Sequence, residues 1–286
     1  MHTFYADLHC HSNASDGSDT PTRVVERAKE VGLHVIALTD HDTVAGVAEA
    51  QATGARVGVR VIAGTELTCY IGSREIHVLG YGIDINNPEL AEHCRKFQEA
   101  RISRAEEIGR RLAAAGAPIE MKSVMAEADG GVVGRPHIAR ALIAAGHVKD
   151  FQEAFDRFLG EGGPANVAKL NVSPAQCVAV IVNAGGIAMM AHPALGKQFD
   201  LIPELIKAGA MGVEVFHSAH DSDATAQLQQ IVLDRGLLKS GGSDCHGSIK
   251  GGDPILGKFG LRKPQWEKFE KALNARPAAR PSAAAS

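Results

Sequence analysis

The chain has 286 residues, with 30 Lys and Arg against 33 Asp and Glu and a formal net charge of −3. That length can bury a full-sized core, and one large domain carrying an insertion suits it better than two equal halves. The charge balance excludes a general basic face of the kind nucleic acid recruits, so any affinity for phosphate must be local. Five cysteines form no C-x-x-C pair, and no signal-like leader or membrane-length apolar run is present. These features predict a reducing, cytoplasmic setting without a membrane partner.

In chain order, the apolar stretch 3–6 reads as a strand leading into His9 and His11. Thr20-Pro21 predicts a helix start, an N-cap followed by a first-turn proline. Val24, Val25, Ala28 and Val31 form the apolar stripe of that helix, and Gly32 is its stop. A strand over 35–38, a helix over 44–52 and a strand over 59–62 running into Glu66 follow. Further strands are expected over 76–79, 187–190, 212–216 and 237–240. Short apolar strands alternating with helices imply an α/β fold with a parallel sheet or barrel.

From Pro88 to about Pro164 the alternation gives way to helical patterns over 89–115, 123–128, 135–145 and 150–159. The expected division is a strand-bearing domain over 1–87 and 165–274, a helical insertion over 88–164 and a low-complexity, disordered tail over 275–286. The insertion is expected to cap the C-terminal rim of the strands.

Histidines and carboxylates gather where the strand-like runs end. They are His9 and His11, Asp16, Asp40-His41-Asp42, Glu66 with His77, His192, and Asp244 with His246. Strand ends of an α/β fold converge on one rim, so ligands far apart in sequence can meet at one cluster. Period two puts His9 and His11 on one face and Cys10 on the other; it separates Asp244 and His246 from Cys245 in the same way. Both cysteines therefore read as packing residues. Asp16-Gly17 alone is an ordinary turn pair, and Asp42 alone is an N-cap for the helix near Val44. The two oxygens of Glu66 could each face a different ion.

Nitrogen and carboxylate donors without thiolates favour manganese, with zinc or iron as alternatives, and nine candidate ligands suit two or three divalent ions. His34 reads as packing, and His2, His93 and His147 as surface residues. His217 and His220, after the strand ending at Phe216, face the same rim as the ligands.

The signatures Asp7-Leu8-His9-Cys10-His11-Ser12, Thr39-Asp40-His41-Asp42-Thr43, Gly64-Thr65-Glu66 and Ser243-Asp244-Cys245-His246 resemble the PHP superfamily, named for polymerase and histidinol phosphatase. The resemblance covers residues 3–261 in order and implies a distorted (β/α)7 barrel. It implies one metal on His9, His11, Glu66 and Asp244, a second on Glu66, His77 and His192, and a third on Asp16, His41 and His246. The Ser15-Asp16-Gly17 loop, the insertion and Gly134-Arg135-Pro136-His137 are similar to the branch of nucleoside 3′,5′-bisphosphate phosphatases and 5′-to-3′ exonucleases of short RNA.

The implied activity is removal of the 3′-phosphate from adenosine 3′,5′-bisphosphate by a hydroxide bridging two metals. Short RNA or DNA oligonucleotides are a second substrate class, and no obligate protein partner is expected. Glu66, Arg135 and His192 are the expected catalytic residues; Arg135, His137, Lys169 and His217 are the expected substrate contacts. Histidinol-phosphate phosphatase and a metal-dependent amidohydrolase are the alternatives.

Overall fold

A computed structural model describes residues 4–127, 133–248 and 254–276. The chain divides into two compact units: one runs to Cys94 and resumes at Val172, the other covers Arg95–Asn171. The first unit is built on seven strands adjacent in chain order. They are β1 (Ala6–Cys10), β2 (Val35–Leu38), β3 (Arg60–Ile71), β4 (Arg74–Tyr81), β5 (Ile187–Met190), β6 (Gly212–Phe216) and β7 (Leu238–Gly241). β1 to β3 pair in parallel, and so do β5 to β7.

The sheet is mixed rather than parallel throughout, because β4 is antiparallel to both neighbours. The cause is local. Ile71 pairs with Arg74, so only Gly72 and Ser73 join β3 to β4, far too few residues for a parallel crossover. Gly72 supplies the left-handed φ of +60° that opens a tight hairpin turn. The hairpin also draws β3 out to 12 residues, which places Glu66 inside a strand rather than at its end.

The sheet closes on itself as a distorted barrel. His11 N–H donates to the Cys245 carbonyl at 3.0 Å, Asp244 N–H donates to the His9 carbonyl at 2.8 Å, and Cys10 and Cys245 form a parallel bridge. β1 runs through His9, further along the chain than the apolar stretch 3–6 suggested. A register shift between Asp7 and Cys10 sends Leu8 and Cys10 into different cores. Leu8 packs in the cluster of Trp266, Phe269 and Leu273, on the helix Lys263–Ala275. Cys10 packs in the cluster of Val24, Ala28, Ile36 and Leu38. Each large apolar side chain so buried contributes roughly 1.5–3 kcal/mol.

Helix α1 (Pro21–Glu30) is capped by Thr20 Oγ1, which accepts from Arg23 N at 3.2 Å, and Gly32 follows it at φ +83°. Helix α2 (Val47–Val57) begins after Gly46 with no side-chain cap, so the N-cap expected of Asp42 is not formed. The buried Asp42 carboxylate instead accepts Thr68 N–H at 2.8 Å and Thr68 Oγ1–H at 2.9 Å, bracing β3 from the side.

The second unit contains most of α3 (Pro88–Ala114), then α4 (Met121–Glu127), α5 (Arg135–Ala144), α6 (Phe151–Ala154) and a π-helical turn, Phe155–Leu159. Ile108, Leu112, Val124, Ile138, Leu142 and Phe158 give it a core of its own. Returning to the first unit, α7 (Pro174–Asn183), α8 (Ile202–Lys207) and α9 (Ser222–Arg235) cover the sheet, and α10 is Lys263–Ala275. His2 and nearly all of the tail expected over 275–286 lie outside the described residues; Arg276 is described, and its Nε–H donates to the Gly82 carbonyl at 2.9 Å. Among the described residues, no helix is long and apolar enough to cross a membrane.

Candidate metal centre

Glu66 is fully buried on β3, opposite Leu79 of the hairpin partner. Its Oε1 lies 2.9 Å from His77 Nδ1 and 3.0 Å from His192 Nε2. Its Oε2 lies 3.1 Å from His9 Nε2 and 3.2 Å from both His11 Nε2 and His41 Nδ1. One carboxylate therefore divides five histidines between its two oxygens.

Asp244 extends the cluster. Its Oδ1 is 3.0 Å from His11 Nε2 and 3.3 Å from His9 Nε2, and its Oδ2 is 3.3 Å from His217 Nε2. Asp16, with 41% of its side chain exposed, stands at the open side. Its Oδ1 is 3.3 Å from His246 Nε2, and its Oδ2 is 4.0 Å from His41 Nε2.

All nine expected ligands are thus brought together. Two groups of four each present one donor atom per residue, all within 4.8 Å of one another: His9, His11, Glu66 and Asp244, and His11, Asp16, His41 and His246. Groups of three form from His41, Glu66 and His77, and from His9, Glu214 and His217.

The electrostatics fit a site made for cations. Burial alone would raise the Glu66 pKa, but attraction to His41, His9 and His77 outweighs it and holds the group well below the usual carboxylate range. Asp244 is lowered in the same way, chiefly by His9 against the cost of burial. Burial also disfavours charge on His11 and His77, yet their carboxylate partners raise both to about 10. His41 goes the other way: burial lowers it to about 4 despite Glu66 and Asp16. Protons on His11 and His77 therefore stand where divalent cations could compete for the same lone pairs.

Hydrogen-bond geometry makes the same point. Both ring nitrogens of His11, Nδ1 of His41 and of His192, and Nε2 of His217 are buried without a hydrogen-bond partner. Several lie close to a carboxylate oxygen but out of line with it, as donors converging on shared centres would. The donor set fits divalent ions.

Surrounding groups fix these donors. His246 Nδ1–H donates to the Asp244 carbonyl at 2.9 Å, which leaves Nε2 facing Asp16. Asp40 accepts Ser12 N–H and Oγ–H, each at 2.7 Å, and Ser15 Oγ–H at 2.6 Å, holding the loop that carries Asp16. Asp7 accepts N–H groups of His9 at 3.3 Å, Ser243 at 2.9 Å and Gly257 at 2.9 Å. Asp42, His192 and Asp244 hold left-handed φ angles of +51°, +27° and +56°, a conformation that costs about 1–2 kcal/mol per residue and gathers at functional sites.

The remaining candidates separate. His217 joins the cluster, whereas His220 gives both ring nitrogens to the backbone: Nδ1–H donates to the Val215 carbonyl at 2.9 Å, and Nε2 accepts Ala194 N–H at 3.4 Å. His34 is exposed and stacks on Tyr5 at 4.6 Å. His93 and His147 are half-buried. Cys10 and Cys245 are buried, and burial raises both thiols, which suits packing rather than nucleophilic roles.

Arg135, His137 and Lys169 lie in the second unit. Arg135 is half-buried, its Nη1–H donating to the Leu159 carbonyl at 3.4 Å and its guanidinium 5.5 Å from the Phe155 ring centre. His137 is buried, and its Nδ1 accepts Gly134 N–H at 3.0 Å, so the structure gives it a capping role at the start of α5. Lys169 is half-buried.

Sequence reasoning missed Glu214. It is fully buried in β6, with Oε1 3.1 Å from His9 Nδ1 and Oε2 accepting His192 N–H at 2.9 Å. The available signal was a lone carboxylate inside the apolar run Gly212-Val213-Glu214-Val215-Phe216.

The PHP domain matches residues 7–167. A 3′,5′-nucleoside bisphosphate phosphatase from Chromobacterium violaceum is 36% identical, covering 93% of this chain and 97% of that protein. A 5′-3′ exoribonuclease from Haemophilus influenzae is 37% identical, covering 92% and 98%. A solved amidohydrolase from Chromobacterium violaceum, with bound sulfate and no metal, superposes with a TM-score of 0.81 at 34% identity, covering 93% of this chain and 96% of that one. The barrel, the histidine cluster around Glu66 and these full-length likenesses agree: the chain belongs to the PHP-domain family.

Proposed function

We propose that this protein is a metal-dependent phosphoesterase that removes the 3′-phosphate of nucleoside 3′,5′-bisphosphates. Adenosine 3′,5′-bisphosphate would give AMP and phosphate, and short oligonucleotides entering by the 5′ end are a second substrate class. The observation that carries the reading is Glu66, whose two oxygens share five histidines. The phosphatase and exoribonuclease relatives support the substrate class.

The residues that would hold two or three divalent ions, manganese first, are His9, His11, Glu66 and Asp244; Glu66, His77 and His192; and Asp16, His41 and His246. Divalent cations supply Lewis acidity toward the phosphoryl oxygens and the attacking water. The chain's own groups do the rest. Glu66 and Asp244 stay ionised and hold the histidines in register. His217 Nδ1 accepts Ala219 N–H at 3.0 Å, which turns Nε2 toward Asp244 Oδ2 at 3.3 Å. Arg135 offers a planar fork for a phosphate. Five free, buried cysteines fit a reducing cytoplasm.

Arg135→Ala is expected to raise KM for the bisphosphate about 10- to 100-fold, the equivalent of ~1.5–3 kcal/mol for a charged hydrogen bond, with metal content unchanged. Steady-state kinetics beside metal analysis checks this, and loss of metal in the variant would remove Arg135 from substrate binding.

The function itself is tested by phosphate release from adenosine 3′,5′-bisphosphate, comparing manganese-loaded with chelated protein and running histidinol phosphate in parallel. Metal-dependent release of the 3′-phosphate, with histidinol phosphate untouched, is the expected result. No release from the bisphosphate overturns the proposed substrate and moves histidinol phosphate or a C–N bond into its place.

A further inference from the structure

Glu214 sits between Val213 and Val215 in the middle of β6 with no exposed surface. A buried carboxylate is costly unless its oxygens are satisfied. Here Oε1 and Oε2 lie 3.1 and 3.2 Å from His9 Nδ1, and Oε2 also accepts the His192 backbone N–H at 2.9 Å. The other nitrogen of His9, Nε2, lies 3.1 Å from Glu66 Oε2 and 3.3 Å from Asp244 Oδ1. His192, whose backbone Glu214 holds at φ +27°, places its Nε2 3.0 Å from Glu66 Oε1.

We propose that Glu214 is a positioning residue that locks His9 with its proton on Nδ1, turning the Nε2 lone pair toward Glu66 and Asp244, while it fixes His192 on the opposite oxygen of Glu66. An ionised carboxylate can only accept hydrogen bonds, so His9 Nδ1 must be the donor, and Nε2 of the neutral ring is then free to bind a cation. A packing role asks only for volume, which glutamine would supply equally well. The proposal rests on the metal-centre reading of the cluster.

Glu214→Gln separates the two roles. The amide has one acceptor oxygen. With that oxygen kept by His192 N–H, the amide NH2 faces His9 Nδ1 and forces it to accept, so the ring proton moves to Nε2 and occupies the lone pair the cation needs. Equilibrium titration with manganese(II) should show one class of ion weakened about 10- to 100-fold, while the class on Asp16, His41 and His246 keeps its affinity. Nitrogen-15 spectra of the ring nitrogens, recorded on zinc(II)-treated protein, should show His9 protonated at Nδ1 in the wild type and at Nε2 in the variant. Glu214→Asp keeps an acceptor-only carboxylate and should retain the wild-type tautomer and more of the affinity.

Wild-type titration by Glu214→Gln, equal weakening of every ion class, or an unchanged His9 tautomer would each overturn the proposal while leaving the metal centre standing. A wild-type protein that takes up no manganese(II) overturns the metal-centre reading, and this proposal with it.

Discussion

Replacing Glu66 with alanine should abolish turnover and empty two cation positions together. The side chain puts His77 and His192 on one oxygen and His9, His11 and His41 on the other, so its loss strips a shared donor from both sides. A cation's stabilisation of developing charge is worth several kcal/mol; ~4 kcal/mol corresponds to roughly a thousandfold in rate, which sets the minimum expected fall in kcat/KM. Glu66→Gln keeps the volume and one acceptor oxygen but loses the charge that chiefly raises His77 and that, after Asp244, raises His11, and it should lose metal almost as completely. Metal analysis beside phosphate-release kinetics decides the matter. Turnover that persisted with a full metal complement would show that no ion depends on Glu66.

The second large effect is on the fold. Asp7→Ala removes the acceptor for N–H groups of His9, Ser243 and Gly257, in a place where Asp7 and Ser243 have no exposed surface. An orphaned buried donor costs about 1–3 kcal/mol, so the metal-free protein should lose roughly 3 kcal/mol or more. At ~2–4 °C per kcal/mol for a chain of this size, Tm should fall by on the order of 10 °C. Because Ser243 precedes Asp244, manganese affinity should weaken as well. Thermal unfolding of chelated protein measures the first effect directly, and a change below about 1 kcal/mol would mean these donors find other acceptors.

Much of the cluster was legible because strands alternating with helices bring their C-terminal ends to one rim. His9, His11, His41, His192, Asp244 and His246 all follow or close apolar strand runs. Glu66 was identified as a donor but placed at the end of its strand rather than inside it, while His77 lies inside β4, where the strand expected over 76–79 had it. The Gly72-Ser73 pair carried the missing information: a two-residue connection between β-rich runs means a hairpin, and a hairpin lengthens both strands.

Asp42 was misread for a different reason. An aspartate shortly before a helix has the local pattern of an N-cap, and its true partner, Thr68, lies 26 positions away. Glu214 was invisible to periodicity because one charge among apolar alternates looks like a solvated face; only the fold reveals His9 behind it. His217 and His220 could not be told apart by position either. The backbone groups around them, Ala219 N–H for one and the Val215 carbonyl for the other, decide which faces the cluster.

The barrel's seam has a consequence for how the protein assembles. Where β1 meets the chain that leaves β7, few backbone hydrogen bonds cross, yet His9 and His11 stand on one side of the join and Asp244 and His246 on the other. Asp7 and Ser243, 236 positions apart, are stitched at the same place. Joining groups so far apart in sequence costs loop-closure entropy. Cation uptake would then act as a clasp across this join, so that metal binding and the stability of the folded chain rise together.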